Sequence, residues 1–172
     1  MDLQIKEDSS PNTEQHYIGI AQMKICNKQT EILIAPNLGS CLGVTVWDRV
    51  KMIGGMIHCL LPLSKSDPQK ASQNPCMYVD TGVAFLIEEI LAAGSKKSDL
   101  IITAAGGSNI NDKNNVFEIG KKNHTVFRKI MWKNNLLIKG EDTGSDHART
   151  LKLIIATGEV TVKGASEVKK LF

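Results

Sequence analysis

The sequence predicts an α+β fold in which a sheet core carries helices over one face. Three observations predict it. Short runs rich in Ile, Val, Leu and Met recur between turn-forming residues: "HYIGIAQMKI", "TEILIAP", "CLGVTVWD" and "MIGGMIHCLLP". Val79, Val83, Leu86, Ile87, Ile90 and Leu91 repeat with helical period. A second segment, "KKNHTVFRKIMWKNN", sets Val126 against Ile130 and Phe127 against Met131 at i, i+4. Many strands and two long amphipathic helices bury their apolar surfaces together as a helix-covered sheet.

Taken in order, residues 1–15 read as a flexible N-terminal arm, because "EDSSPNTEQ" offers nothing to bury. Residues 16–172 read as a single domain without repeat or linker. The four strand-like runs come first, followed by a polar loop over 64–75. The first long helix follows, with Asp80 or Thr81 as its N-cap and Gly94 as its C-terminal stop. "DLIITAAGG" reads as a buried strand entering a glycine turn, and the second helix comes next. The chain closes with "LLIKGEDTG" and "ARTLKLIIATGEVTVK", where Thr157-Gly158 suits a tight hairpin turn.

Composition narrows the function classes. A chain of 172 residues with 42% hydrophobic and 23% charged residues has the balance of an ordinary globular protein. A net charge of +3, from basic residues scattered along the chain, excludes an electrostatic nucleic-acid interface. Aromatics at 5% leave no stacking platform for bases. The polar, acidic opening predicts no export signal, and no apolar run reaches the roughly 20 residues of a membrane span. A cytoplasmic location is therefore expected, with Cys26, Cys41, Cys59 and Cys76 as reduced thiols and the monomer as the default state. Nothing in the sequence calls for a cofactor.

The candidate chemistry lies in "NLGSCLGVTVWDRVKMIGGMIHCLLP". Two strands flank a polar turn at "DRVK". A turn in which Asp48 faces Lys51 puts Cys41 directly opposite His58, with Cβ atoms roughly 4.5–5.5 Å apart. An imidazolium beside a thiol stabilises the thiolate, the working nucleophile. Gly39 and Ser40 leave room for a substrate, and their amides could face an oxyanion. The competing reading makes Cys41 a small buried hydrophobe.

The remaining residues carry weaker signals. Cys59 points to the opposite face of its strand and reads as core. Cys26 and Cys76 have no partner signal. Zinc held by Cys41, His58, Cys59 and Cys76 would lack paired spacing and is disfavoured, so no metal is expected. His16, His124 and His147 read as surface residues, and Trp47 and Trp132 as packing anchors. "GSCLG" matches a cysteine nucleophile elbow, but strand-forming residues follow where that motif needs a helix. "AAGGSN" lacks the lysine and spacing of a phosphate loop.

These segments resemble the CheD family of chemoreceptor glutamine deamidases. "LGSCLGV" is similar to its nucleophile segment and "GGMIHCLLP" to its histidine segment. "YVDTGVAFLIEEI", "AAGGSNI" and "GEDTGSDHARTLKL" follow in family order, so the resemblance runs from about Tyr17 to Lys163. It implies a layered α/β/β sandwich with mostly antiparallel strands. It also implies Cys41 attack on a receptor glutamine amide, proton transfer by His58 and hydrolysis of a thioester. The expected partners are methyl-accepting chemotaxis receptors and the phosphatase CheC, with demethylation of receptor glutamyl esters as an accompanying activity. The family threonine six residues before the cysteine is Ala35 here. Thr30, Asn37 and Ser40 are the candidate substitutes for its hydroxyl. The same departure motivates an alternative, a binding module that regulates CheC or receptors with little catalysis.

Overall fold

The computed structural model describes residues 13–110 and 117–172. Ten strands form two five-stranded sheets, ordered β1-β3-β8-β9-β10 and β2-β5-β4-β6-β7. The first sheet uses β1 (Glu14–Tyr17), β3 (Glu31–Leu38), β8 (Arg149–Ile154), β9 (Val160–Lys163) and β10 (Val168–Lys170). The second uses β2 (Gln22–Cys26), β4 (Leu42–Asp48), β5 (Ile53–Cys59), β6 (Leu100–Gly106) and β7 (Ile138–Thr143). All ladders are antiparallel except β1–β3 and β6–β7.

Side-chain alternation along the second sheet builds two cores. Leu42, Val44 and Val46 of β4, with Ile57 and Cys59 of β5, face α2 (Val79–Ala92) and α3 (Ile119–Lys133). Cys41, Trp47, Met56, Ile101 and Ala105 face Leu33, Ala35, Leu151 and Leu153 of the first sheet. The result is helices, sheet, sheet, the expected α/β/β layering. Central strands of the middle layer are buried on both faces, so β4 and β6 read as continuous apolar runs.

Several local expectations change. Glu14 and Gln15, assigned to the arm, pair with Glu31 and Ile32, while residues 1–12 lie outside the described residues. "HYIGIAQMKI" is two strands in different sheets, broken by a turn in which Ala21 takes φ 58°. The polar 64–75 loop holds a helical turn, α1 (Pro68–Gln73), capped by Asp67 accepting from the Lys70 amide. Helix α2 starts at Val79 without a side-chain cap. Asp80 instead accepts from the Ser64 amide and hydroxyl, and Gly94 ends the helix region at φ 89°.

Thr157 and Gly158 lie within a longer turn between β8 and β9. Gly158 takes φ 71° there, and a Cβ would run into the Trp47 ring. Trp47 is a packing anchor, 5% exposed and donating Nε1–H to the Ile155 carbonyl. Trp132 is 76% exposed and anchors nothing, because it falls on the outer face of α3.

Candidate active site

The hairpin between β4 and β5 sets the geometry. Its turn is longer than "DRVK" suggests. The Asp48 carboxylate accepts from the amides of Val50 and Lys51, and its carbonyl accepts from Met52 N–H. Met52 takes a left-handed φ of 58°, so Asp48 pairs with Ile53 across a loop of residues 49–52. The register therefore shifts by two from the expected one. Gly43, not Cys41, faces His58. A shift of two preserves the face. Cys41, just before β4, is consequently diagonal to His58 on the side of the sheet that meets the other sheet. Such diagonal neighbours lie roughly 7–8 Å apart at Cα, within reach of longer side chains.

The histidine is held in a defined tautomer. Its Nδ1 lies 3.2 Å from the carbonyl oxygen of Ile18, which can only accept, so Nδ1 carries the proton. Nε2 is buried and has no hydrogen-bond partner among the described residues. An imidazole only 2% exposed therefore presents a bare lone pair. Ile18 is itself fixed, its amide donating to Ile34 O at 2.7 Å. Sequence reasoning missed this acceptor because a main-chain carbonyl leaves no signature in residue type.

The hydroxyl candidates lie elsewhere. Thr30 is exposed before the first residue of β3, at the opposite end of that strand from Cys41. Asn37 is exposed in a β-bulge between Ala35 and Leu38, at φ 55°. Ser40 adjoins the cysteine, and its carbonyl accepts from Asn123 Nδ2 at 2.9 Å. No bond from any of the three reaches His58. Ala35 is fully buried in the core between the sheets.

The segment carrying Cys41 is anchored through its carbonyls. Gly39 O accepts from Ser108 N–H at 2.9 Å, and Cys41 O from Gly107 N–H at 2.8 Å. Asn123, in α3 and wholly buried, bridges Ser40 O and Leu60 O. Gly106 makes the closest approach. It sits at φ 102°, and a Cβ there would collide with the Cys41 carbonyl. The glycine turn thus clamps the cysteine loop. Gly39 N–H donates back to Asn37 O, whereas the Ser40 and Cys41 amides donate to no other residue among those described.

Electrostatics define the resting state. Burial pushes the Cys41 thiol above its ordinary range, opposed only by its own amide. Burial pushes His58 down, with the Ile18 carbonyl opposing. Both shifts favour the uncharged forms, thiol and neutral imidazole, and so oppose the standing thiolate–imidazolium pair that the sequence suggests. Cys59 is fully buried on the helix side of the sheet and Cys76 packs against that same core. Four ligands from Cys41, His58, Cys59 and Cys76 therefore cannot converge. A cavity of about 410 Å³ lies beside the glycine turn, lined by Gly107, Asn109, Lys121, His124 and Thr143. Neither Cys41 nor His58 lines it.

The lowered His58 pKa has a consequence for stability. The unfolded chain takes up a proton near the ordinary value of 6.5, before the native state does. Stability from the neutral imidazole is thus complete above that value and lost as pH falls below it. The expected result is a melting temperature that falls more steeply from pH 7 to pH 5 in the native protein than in His58→Gln. Parallel melting curves for the two proteins would contradict the assignment.

The family model described as CheD chemotactic sensory transduction matches residues 60–164. The chain belongs to the CheD family. A protein of Syntrophus aciditrophicus, "Probable chemoreceptor glutamine deamidase CheD 1", is 42% identical over 148 residues, covering 86% of this chain and 92% of its own. "Probable chemoreceptor glutamine deamidase CheD" of Solibacter usitatus is 37% identical over 158 residues, or 92% and 94% of the two chains. A third CheD, from Anaeromyxobacter dehalogenans, is 32% identical across 90% of this chain and 97% of its own. The CheD match begins at Leu60, just beyond His58, so the cysteine and histidine rest on the geometry above. Among the described residues no helix is long and apolar enough to cross a membrane.

Proposed function

We propose that the protein is a chemoreceptor glutamine deamidase that uses Cys41 as nucleophile and His58 as proton carrier. The observation that carries this reading is the imidazole. Its Nδ1–H is pinned to Ile18 O, and its free Nε2 sits on the same sheet face as the cysteine, one diagonal step away. A histidine held solely for packing gains nothing from an unpaired buried nitrogen, which costs roughly 1–3 kcal/mol. The names of the relatives supply the substrate class, the glutamines of chemotaxis receptors.

In the reaction, a receptor glutamine side chain enters beside Gly39 and Ser40. Nε2 takes the thiol proton as sulfur attacks the amide carbon, so the thiolate exists only during attack. The Ser40 and Cys41 amides face the developing oxyanion. The tetrahedral adduct expels ammonia, protonated by His58, and leaves a thioester. Nε2 then removes a proton from water, which releases glutamate and restores the thiol. Ile18 O keeps the tautomer fixed through each transfer. Receptor glutamyl methyl esters fit the same site and the same acyl-thioester route. The setting is the cytoplasmic portion of the receptors.

Incubating the chain with a receptor cytoplasmic fragment and following glutamine-to-glutamate conversion by mass spectrometry tests this. Absence of conversion by the folded native protein would reject it. The second reading, a binding module acting on CheC or receptors, draws on Ala35. A direct discriminator is Ala35→Thr. Because Ile18 O already occupies Nδ1–H, the variant is expected to change turnover by less than about tenfold. A large gain in turnover would show instead that an absent hydroxyl limits the native enzyme.

A further inference from the structure

Away from Cys41 and His58, a second cluster forms where the edges of the two sheets meet. His16 lies on β1 of the first sheet, Cys26 ends β2 of the second, and Glu31 opens β3. One donor atom from each of these residues lies within 4.8 Å of the other two. His16 Nε2 is 3.1 Å from Glu31 Oε1, and Glu14 Oε1 lies 3.5 Å from the same nitrogen. Ligand atoms on a zinc tetrahedron sit roughly 3.3–3.8 Å apart, from bond lengths near 2.0–2.3 Å. The two histidine–carboxylate spacings, 3.1 and 3.5 Å, lie close to that range, and the thiol is held within 4.8 Å of both partners. Cys26 and Glu31 are 3% and 7% exposed, while the half-exposed Glu14 leaves an entry side.

We propose that His16, Cys26 and Glu31, with Glu14 or water as the fourth donor, form a binding site for a zinc-class divalent cation. The donor set decides the class. Thiolate and imidazole are soft or borderline ligands that prefer zinc and its neighbours to magnesium or calcium, which take oxygen. On binding, the Cys26 S–H bond breaks, its proton leaves to solvent, and a metal–sulfur bond replaces it. Without the cation the cluster still satisfies itself, since Glu31 accepts from the Lys28 amide at 3.0 Å and from His16. The site therefore folds in either state, and the cation ties β1 to β2 across the sheets. His16 stands two residues before Ile18, so the tie stiffens the strand whose exit holds His58. None of these donors takes part in the proposed deamidation, so the two readings fail separately.

The test uses the full chain, stripped by chelator under a non-thiol reductant and titrated with cobalt(II), then zinc(II). A thiolate-to-cobalt charge-transfer band saturating at one cobalt per chain is expected, with zinc displacing it and raising the melting temperature. Cys26→Ser should abolish the band, while Cys41→Ala and Cys76→Ala should retain it. His16→Gln should weaken cobalt binding at least about tenfold, and it decides the matter if Cys26→Ser does not fold. The proposal is overturned by a folded native protein that shows no band, by a band surviving Cys26→Ser, or by affinity indifferent to His16→Gln.

Discussion

Cys41→Ala should lower glutamine deamidation by about three orders of magnitude or more while leaving the fold intact. The size follows from the proposed mechanism, in which the Cys41 sulfur forms the covalent intermediate. The histidine, the amides and the binding surface remain, but an acyl transfer cannot be divided into two steps without its nucleophile. The fold should survive because Cys41 is a small side chain in an apolar cluster, 7% exposed, and alanine keeps all but the sulfur. Cys59→Ala is the matched control. Cys59 is more deeply buried yet faces the helices, so its loss should cost stability and spare the turnover of folded enzyme. Measured conversion of a receptor fragment, with circular dichroism on each variant, distinguishes the outcomes. Equal conversion by Cys41→Ala would remove the cysteine from the mechanism.

The second large effect is structural. Arg149→Ala should destabilise the protein by about 3 kcal/mol, at the lower end of the range for stripping one partner from a buried ion pair. Arg149 is 3% exposed at the start of β8. Its Nε meets Asp142 Oδ1 at 3.0 Å, and its Nη1 donates to Ser108 Oγ at 2.6 Å. Ser108 Oγ in turn donates to His147 O, and Ser108 N–H holds Gly39 O. Alanine would leave Asp142, among the described residues, with the exposed Lys169 as its one cationic partner, 3.6 Å away, and loosen the turn that clamps the cysteine loop. For a chain of this length the expected fall in melting temperature is about 6–12 °C. Arg149→Lys should recover part of it, since an ammonium keeps the charge but cannot reproduce the planar fork. A variant that melts with the native protein would show the network to be dispensable.

Arg149 also shows what local sequence leaves unencoded. In sequence it is one basic residue among scattered others, and "GEDTGSDHARTLKL" was legible only as a resemblance. Burial turned it into the strut between β7, the glycine turn and β8. Asn123 is a similar case. It sits in a helix recognisable from Val126, Phe127, Ile130 and Met131, yet its role depends on two carbonyls more than sixty residues away. Sequence alone makes His16 a surface residue and gives Cys26 no partner. Neither carries a ligand spacing, and only the meeting of two sheet edges puts both beside Glu31.

What the sequence determined by itself is what local chemistry encodes. Periodicity fixed the two long helices and their buried stripes, and β-branched runs fixed most strands. The parity of residues along β4 and β5 placed Cys41 and His58 on one face, with Cys59 on the other. Parity is robust because a register error of two residues leaves it unchanged. Tertiary structure decided the rest. The longer turn moved His58 from opposite Cys41 to opposite Gly43. A main-chain carbonyl, identical in every residue type, became the group that orients the imidazole. Burial, which depends on the packing of both sheets and the helices together, pushes the cysteine up and the histidine down, toward their uncharged forms.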